Sequence, residues 1–217
     1  MTALTFTILT GAKTVEGSIR SRVNHSDVPA TDVLADGEAW INERLRIEEQ
    51  VQRVQMSLAK DIDKLTVPAG FLDPIALNLV EGTDNHGRID RRAKYDVIER
   101  RNEDNTGLAT NIAGPREYAV VGTELLFDAK ADKAYTVNAV FYAAPTALSV
   151  SNETNIYTDT FRIVLRHAYL IYGFEFRKDF EQMTNQIAFA TDEVAKLHVA
   201  DDLNSRGGTY DTEVDYG

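Results

Sequence analysis

The predicted fold depends first on residues 114–127, which read Gly-Pro-Arg-Glu-Tyr-Ala-Val-Val-Gly-Thr-Glu-Leu-Leu-Phe. Two short runs, Tyr118 to Val121 and Glu124 to Phe127, flank a Gly-Thr pair, which is typical of a tight β-hairpin. Pro115 precedes the first run, where its missing N–H costs the strand ladder nothing. A third run, from Ala134 to Ala143, alternates side chains with the period of a strand. The sequence therefore predicts a β-meander in the middle of the chain.

The segments on both sides of the meander show helical periodicity. Near the N-terminus, the apolar spacing predicts one helix from Gly11 to Asn24 and a second, capped by Thr31 or Asp32, that extends to Leu45. Near the C-terminus, apolar positions predict an antiparallel helical hairpin, with one helix from Phe161 to Tyr172 and another from Met183 to Leu197. The predicted fold class is α+β: a helical bundle of two N-terminal and two C-terminal helices with a central antiparallel β-rich domain inserted.

The same patterns predict the domain boundaries. Residues 1–47 and 156–205 form the predicted helical body, and residues 48–155 form the β-rich inserted domain. Residues 206–217 are polar and acidic, so we expect a flexible C-terminal tail. The chain is thus one helical domain interrupted by an insertion.

Within the inserted domain the periodicity predicts further strands and one long loop. Val54 to Leu58 alternate as a strand does, and another strand is expected from Ile75 to Val80. Residues 81–114 are mostly polar and predict a loop, with one or two helical turns between Arg91 and Arg101. A loop of that length inside a compact domain is usually functional or mobile.

The composition is that of an acidic globular protein. The chain has 217 residues, a formal net charge of −11 and no cysteine, so disulfides and thiolate metal sites are excluded. No apolar run approaches the ~18 residues that a membrane-spanning helix needs. An acidic chain is a poor general nucleic-acid binder because binding depends on neutralising phosphates. The same charge suits a surface past which DNA slides without sticking.

No catalytic motif is present. The stretch Asp84-Asn-His-Gly-Arg-Ile-Asp resembles a metal or nuclease loop only loosely, and it lacks the spacing of an EF-hand. No Gly-rich phosphate loop, nucleophile elbow or zinc-protease motif occurs. We therefore predict no catalytic, cofactor-binding or metal-binding residue, and no cofactor. The acidic residues leave open a pair of carboxylates for glycoside cleavage, but no feature of the sequence marks such a pair.

Basic residues cluster in one part of this acidic chain. They are interleaved with acids, and the cluster comprises Arg88, Arg91, Arg92, Lys94, Arg100 and Arg101. One interpretation is a solvated face with internal ion pairs; the other is a contact patch for an acidic neighbouring subunit or partner. A second candidate contact lies in the tail, where Tyr210 and Tyr216 flank three acids. These tyrosines could enter pockets of a partner as the tail becomes ordered.

The order of several motifs matches a known family. After a first helix, the motifs run along the chain as Asn24-His-Ser-Asp, Ala39-Trp-Ile-Asn-Glu-Arg-Leu-Arg, Leu65-Thr-Val-Pro-Ala-Gly-Phe-Leu, residues 114–127, Val140-Phe-Tyr-Ala-Ala-Pro-Thr-Ala-Leu-Ser and Asn152-Glu-Thr-Asn. A helical hairpin follows them. This arrangement resembles the head-to-tail adaptor, or connector, proteins of tailed bacteriophages over roughly residues 10 to 205. The chain departs from the family pattern between Arg88 and Asn111, a stretch that is long and charged and could project onto tail or fibre proteins.

The resemblance implies a structural virion protein at the neck, made in the host cytoplasm. Members of the family form a ring, typically of twelve subunits, beneath the portal, where the ring extends the DNA channel and gives the tail its docking surface. The implied partners are further copies of the chain, the portal protein, and tail, nozzle or fibre proteins. A C-terminal segment commonly reaches the portal, and DNA passes through the channel during genome ejection without specific binding. No membrane partner and no catalytic residue are implied.

Two other functions remain open from the sequence. One is a peptidoglycan-cleaving enzyme used by a phage at entry, which requires two carboxylates in a cleft. The other is a different neck or tail-tube protein of the same virion, which ring stoichiometry and the identity of the partner would distinguish.

Overall fold

The computed structural model of the protein describes residues 4–101 and 109–205. The chain divides into two compact units. The first, which we call the helical unit, comprises Met1–Glu49 and Ala144–Gly217, and the second, the sheet unit, comprises Gln50–Ala143.

The helical unit contains six helices among its described residues. They are α1 (Phe6–Thr10), α2 (Ile19–Val23), α3 (Ala30–Arg44), α5 (Ile156–Asp159), α6 (Arg162–Phe176) and α7 (Phe180–Ser205). Helix α4 (Lys94–Arg101) belongs to the sheet unit, which lies between α3 and α5 in the sequence. A 3-10 turn, Glu48–Gln50, lies at the junction of the two units. No helix in the described part of the chain is both long enough and apolar enough to cross a membrane.

Side-chain caps set the ends of the short helices. The Thr5 hydroxyl accepts the N–H of Ile8 at the start of α1, and the Ser18 hydroxyl accepts the N–H of Ser21 at the start of α2. Asn24 ends α2 in the left-handed conformation, with φ of 56°. The prediction that Asn24 ends a helix is confirmed.

The core of the helical unit is built around α6, which packs on α2, α3, α5 and α7. Fully buried side chains from α3 and α6 meet there, including Leu34, Ile41, Leu165 and Tyr169. The closest backbone approach is at Gly37 of α3: a Cβ atom at this position would lie 2.9 Å from the backbone nitrogen of Tyr169. Only glycine fits at this crossing of α3 and α6 without displacing backbone.

The sheet unit is a seven-stranded mixed sheet. The strands are β1 (Val51–Leu58), β2 (Lys64–Thr66), β3 (Phe71–Glu81), β4 (Asp84–Arg91), β5 (Glu117–Val121), β6 (Glu124–Phe127) and β7 (Tyr135–Ala143), in the spatial order β1-β7-β3-β4-β5-β6-β2. All neighbours are antiparallel except β4 and β5, which are parallel. The sheet forms a nearly closed barrel, with its edge strands β1 and β2 in contact.

One face of the sheet supplies the core of this unit. Along β7 every second side chain, from Tyr135 to Ala143, is buried, and the intervening ones are half-buried. Side chains of the neighbouring strands complete this core, including Leu58, Leu77, Leu79, Ile89, Leu125 and Phe127. The strict alternation along β7 is typical of a strand with one face in a core.

The predicted fold class is wrong. Instead of a bundle of two N-terminal and two C-terminal helices around an antiparallel insertion, the described residues form a mixed α/β fold with seven helices. Of the predicted helix from Gly11 to Asn24 only α2, Ile19–Val23, is helical: residues 11–18 contain no helix, and Gly17 among them adopts φ of 87°, outside helical geometry. The sheet is mixed because β4 and β5 run parallel.

The hairpin prediction at the centre of the chain is confirmed, but the meander is wrong. β5 and β6 pair as predicted, with Val121 opposite Glu124 and Gly122 in the turn at φ of 60°. The third predicted strand does not pair with β6: β7 lies between β1 and β3, while β6 lies between β5 and β2. Local alternation predicted the strands themselves, but it carries no information about which distant strands they pair with.

The predicted loop over residues 81–114 is also corrected. Asp84–Arg91 form β4, which pairs with β3 through a turn at Gly82 and Thr83, and Lys94–Arg101 form α4. β4 escaped prediction because Ile89 is its single buried apolar residue and the other residues are polar. Hydrogen bonds to β3, rather than apolar alternation, hold this strand in the sheet.

Candidate interaction surfaces

Three of the predicted contact arginines lie along one strand and its end. Arg88 and Arg91 belong to β4, and Arg92 follows it. All three side chains are exposed, and we call them the β4 arginines. The Arg91 guanidinium lies 3.0 Å from an Asp73 carboxylate oxygen, and that of Arg92 lies 3.2 Å from Glu117.

The β4 arginines influence a neighbouring tyrosine. Burial raises the pKa of the Tyr118 hydroxyl, and the positive charges of Arg91 and Arg88 act against this rise. Arg88 also donates a hydrogen bond of 3.3 Å to the Ile75 carbonyl. The exposed pair of Arg91 with Asp73 is of the kind that contributes ~0–1 kcal/mol, so a partner's carboxylate could replace it at small cost, whereas the Glu117 carboxylate paired with Arg92 is buried.

Arg101 occupies a different environment from the β4 arginines. Its side chain is 1% exposed, and its guanidinium lies 2.9 Å from the Asp63 carboxylate, which is itself fully buried. The same guanidinium donates to the carbonyls of Asp63 and Phe127, and the Asp63 carboxylate also accepts the N–H of Ala109. Arg101 and Asp63 therefore link the end of α4 to the end of β6 and to the backbone at Ala109 inside the sheet unit.

The remaining predicted contact residues cannot be located in the same way. The side chain of Arg100, like the whole of Tyr210 and Tyr216, lies outside the described part of the structure. The structure thus brings together Arg88, Arg91 and Arg92, and it separates Arg101 from them.

A cleft of about 940 Å³ opens beside β4, in a place that sequence reasoning missed. Its lining includes His86 to Arg88 of β4 and the segment from Asn111 to Arg116. Leu79, Ala129 and Tyr135 also line it. The prediction of a loop over residues 81–114 missed the cleft, because part of its lining belongs to the strand β4, which that prediction did not include.

The titratable groups at this cleft are linked to one another. The Glu81 carboxylate pairs with Lys133 and with His86 Nε2, which lies 3.0 Å away. The hydrogen bond from Lys133 lowers the pKa of Glu81, while Glu81 raises the pKa of Lys133. Burial, together with a hydrogen bond of 2.7 Å to Asp132, raises the pKa of Tyr135 to about 12. Tyr135 is therefore a neutral donor at physiological pH.

In the helical unit, a buried carboxylate holds the connection that follows the sheet unit. Glu38 of α3 is 5% exposed. Its carboxylate accepts the backbone N–H of Leu148 at 3.2 Å and the side-chain amide of Asn155 at 2.8 Å. Asn155 also caps α5 through a reciprocal capping box with Thr158. The Asn152-Glu-Thr-Asn motif thus has a structural role, to which Glu153 contributes by accepting the Thr7 N–H at 2.9 Å.

We predict that Glu38→Ala lowers the free energy of unfolding of the helical unit by about 1–3 kcal/mol, because two donors in a buried setting lose their acceptor. Thermal unfolding followed by the fluorescence of Trp40, the single tryptophan, measures the change. Glu43→Ala on the same helix is the matched control, since that side chain is exposed and pairs with Arg44 at the surface. Equal melting temperatures for the two variants would contradict the prediction.

The pH dependence of this contact has a defined sign. Burial raises the pKa of Glu38, against the opposing hydrogen bonds from Asn155 and Leu148. A raised folded-state pKa means that the proton binds the folded chain more tightly than the unfolded chain. Proton binding at Glu38 therefore adds its full contribution to the free energy of unfolding at pH values below the ordinary glutamate pKa. This contribution is lost as the pH rises through the raised folded-state pKa.

Helix α7 carries exposed apolar side chains. Phe180 is 61% exposed, Phe189 55% and Val199 60%. Because successive residues of a helix are ~100° apart, Phe180, Ala188 and Val199 lie within one sector of about 100°. Single exposed apolar residues are ordinary, and these three are spread over 19 residues of the helix, so the face is a candidate contact surface and not a continuous apolar patch.

The described residues contain no group of histidine, aspartate or glutamate side chains that could hold a metal ion.

No sequence among the curated proteins matches the chain. The model of the SU10 adaptor protein family matches residues 10–210, which include nearly the whole of both units. This family is one of structural phage proteins and not a class of enzymes. The chain belongs to the SU10 adaptor protein family.

Proposed function

We propose that the chain is a head-to-tail adaptor, copies of which form a ring that joins the portal to the tail and extends the DNA channel. The observation that carries the proposal is the family match over residues 10–210. The ring, its position at the neck and its count of twelve copies come from the resemblance of the motifs. The protein is then a component of the virion, and its function is mechanical connection.

The charge of the chain supports this function. Each copy carries a formal net charge of −11, so a closed ring of copies multiplies a field that repels phosphate. A repulsive field keeps DNA from binding to the wall as it moves through the channel. An adaptor needs this property at every contact with the moving genome.

The exposed face of α7 supports lateral association of copies. Phe180 and Val199 are apolar and mostly exposed in the single chain, and Ala188 lies between them on the same face. Covering such side chains is favourable by about 25 cal/mol per Å² of apolar surface. We propose that α7 of one copy packs against a different surface of the next copy, in a heterologous contact that closes by rotation.

The β4 arginines are the proposed contact for an acidic tail or fibre protein. The pair of Arg91 with Asp73 is exposed on both sides, so a partner's carboxylates can compete for that guanidinium group, and the Arg92 side chain is exposed although its partner Glu117 is buried. Arg100, Tyr210 and Tyr216 remain in the proposed set of contact residues. Arg101 is left out of the contact surface because its side chain is buried against Asp63.

A nonsense mutation in the coding sequence tests the function. In a non-suppressing host we expect DNA-filled heads that lack tails, because the portal has no ring on which a tail can dock. Supplying the wild-type chain in trans should restore tailed, infectious particles, which serves as the control for effects on neighbouring genes. Tailed particles that contain no copy of this chain would refute the proposal.

A further inference from the structure

Two arginines of the helical unit lie close together without a carboxylate partner. Arg22 of α2 is exposed, and Arg166 of α6 is half-buried. The two helices are in contact at Gly173, where an added Cβ atom would lie 2.5 Å from Val23 Cγ2. Neither arginine forms an ion pair with any residue that the structure describes. An acidic chain thus presents two uncompensated cations side by side.

A buried tyrosine lies next to these arginines. Tyr169 of α6 is 0% exposed, and no acceptor among the described residues takes the proton of its hydroxyl. Burial raises the pKa of this hydroxyl to about 12, and the positive charges of Arg22 and Arg166 act against the rise. A guanidinium only donates, and the neutral hydroxyl retains its O–H. We call these three residues the arginine site, and its groups are the donors that bind an anion.

The exposed face of α3 carries the complementary charge. Asp32, Asp36 and Glu43 are exposed, and their spacing places them within a sector of about 40°, opposite the side of α3 that packs on α6. We call these three residues the acidic face. Asp32 and Asp36 form no ion pair within the described part of the chain. Ala35 and Ala39 lie beside them and are exposed, so another copy can approach this helix closely.

The two surfaces are complementary, but they do not meet within one chain. Both belong to the helical unit, and no ion pair between described residues joins them. A heterologous contact requires two different surfaces on each copy that fit one another. Opposite charges at such a contact also offset the repulsion between copies that each carry a formal net charge of −11.

We propose that the arginine site of one copy, through Arg22 and Arg166, binds the carboxylates of Asp32 and Asp36 on the next copy. This inference rests on the proposed function, because it assigns residues to the lateral contact of the ring. It adds charged groups to the proposed α7 contact and shares no residue with it.

Charge reversal is the first test. R22E/R166E and D32R/D36R are purified separately, and sedimentation velocity over a range of concentrations at low ionic strength gives the Kd of self-association. We expect each variant alone to associate at least about tenfold more weakly than the wild-type chain, because like charges then face one another. An equimolar mixture should return to within about threefold of the wild-type Kd, since each reversed surface meets its complement on the other variant. A mixture as weak as its components would overturn the proposal.

The matched control is R53E/K60E. It reverses two exposed cations of the sheet unit, so the net charge changes by the same amount as in R22E/R166E. We expect its Kd to stay within about twofold of the wild-type value, because neither residue belongs to the proposed contact. Circular dichroism checks that every variant is folded. Equal weakening in R53E/K60E and R22E/R166E would show that net charge alone governs association, which would contradict the assignment.

Cysteine crosslinking locates the contact even when association is weak. The chain has no cysteine, so introduced ones report their own positions. A39C lies beside the acidic face, and I163C replaces a 51% exposed residue of α6 one turn before Arg166. A bismaleimide should join A39C of one chain to I163C of another, with much lower yields for A39C with A39C and I163C with I163C. Equal yields for all three combinations, or none for A39C with I163C, would refute the proposal.

Complementation of the nonsense mutant separates this inference from the proposed function. We expect tailed particles when the wild-type chain is supplied, or when R22E/R166E and D32R/D36R are supplied together, and tailless heads with R22E/R166E alone. Tailed particles from R22E/R166E alone would refute the inference and leave the function standing. If the two variants together neither restore tails nor associate in solution, another virion protein supplies the carboxylates and the inference falls. Tailed particles that lack the chain would remove the function, and sedimentation and crosslinking would still decide the inference.

Discussion

Replacing Arg101 with methionine is expected to lower the free energy of unfolding of the sheet unit by about 3–5 kcal/mol. The substitution leaves the Asp63 carboxylate buried without its cation, and it removes the donors to the Asp63 and Phe127 carbonyls. An uncompensated buried charge is far more costly than a lost surface pair. Hydrogen exchange of the β6 amides measures the effect within this unit, because the single tryptophan, Trp40, lies in the helical unit.

The matched control is Arg91→Met in the same unit. Arg91 pairs with Asp73 at a similar distance, 3.0 Å, but its side chain is 51% exposed, so we expect a loss below ~1 kcal/mol. The double variant R101M/D63L should recover part of the loss, since it removes both charges, although Ala109 loses its acceptor. Equal protection of β6 in R101M and R91M would contradict the assignment of Arg101 as a buried brace.

Replacing Gly37 with valine is expected to destabilise the helical unit by about 3 kcal/mol. A Cβ at this position lies 2.9 Å from the Tyr169 nitrogen and 3.0 Å from its Cα, so the obstacle is backbone and cannot rotate away. Overpacking of this kind typically costs ~1–3 kcal/mol. Replacing a glycine inside a helix also gains helix propensity, by up to ~1 kcal/mol when the new residue is alanine. Valine is a weaker helix former, so this gain offsets less of the overpacking cost in G37V.

Ala35→Val is the control for Gly37→Val, because Ala35 lies on the exposed side of the same helix. It tests helix propensity alone, and we expect a change below ~1 kcal/mol. Trp40 is 6% exposed on this helix, so its fluorescence during urea unfolding reports the separation of α3 from α6. A midpoint for G37V equal to that of A35V would show that the two helices are not in the contact described.

Local signals predicted much of the secondary structure. The hairpin of β5 and β6 could be predicted because its turn and both strands are contiguous, and α6 and α7 because their apolar spacing is regular. Asn24 ends a helix, as its residue type suggested. Each of these features depends on interactions between residues that are close in sequence.

The features that were missed depend on residues far apart in the sequence. The place of β7 between β1 and β3, and the parallel pairing of β4 with β5, are decided by tertiary packing. Arg101 lies in a charged run that is typical of a solvated face, and only the partner Asp63, 38 residues earlier, makes its burial possible. The lining of the cleft beside β4 likewise comes from segments that are distant in sequence. No periodicity in a single stretch of sequence carries this information.

We propose that copies of this chain connect the portal to the tail, and electron microscopy of virions decorated with an antibody against the chain tests this proposal. We expect label at the junction of head and tail, and a symmetric reconstruction there should show copies arranged around the DNA channel. Label confined to the capsid surface or the tail tip, or virions that contain no copy of the chain, would contradict it.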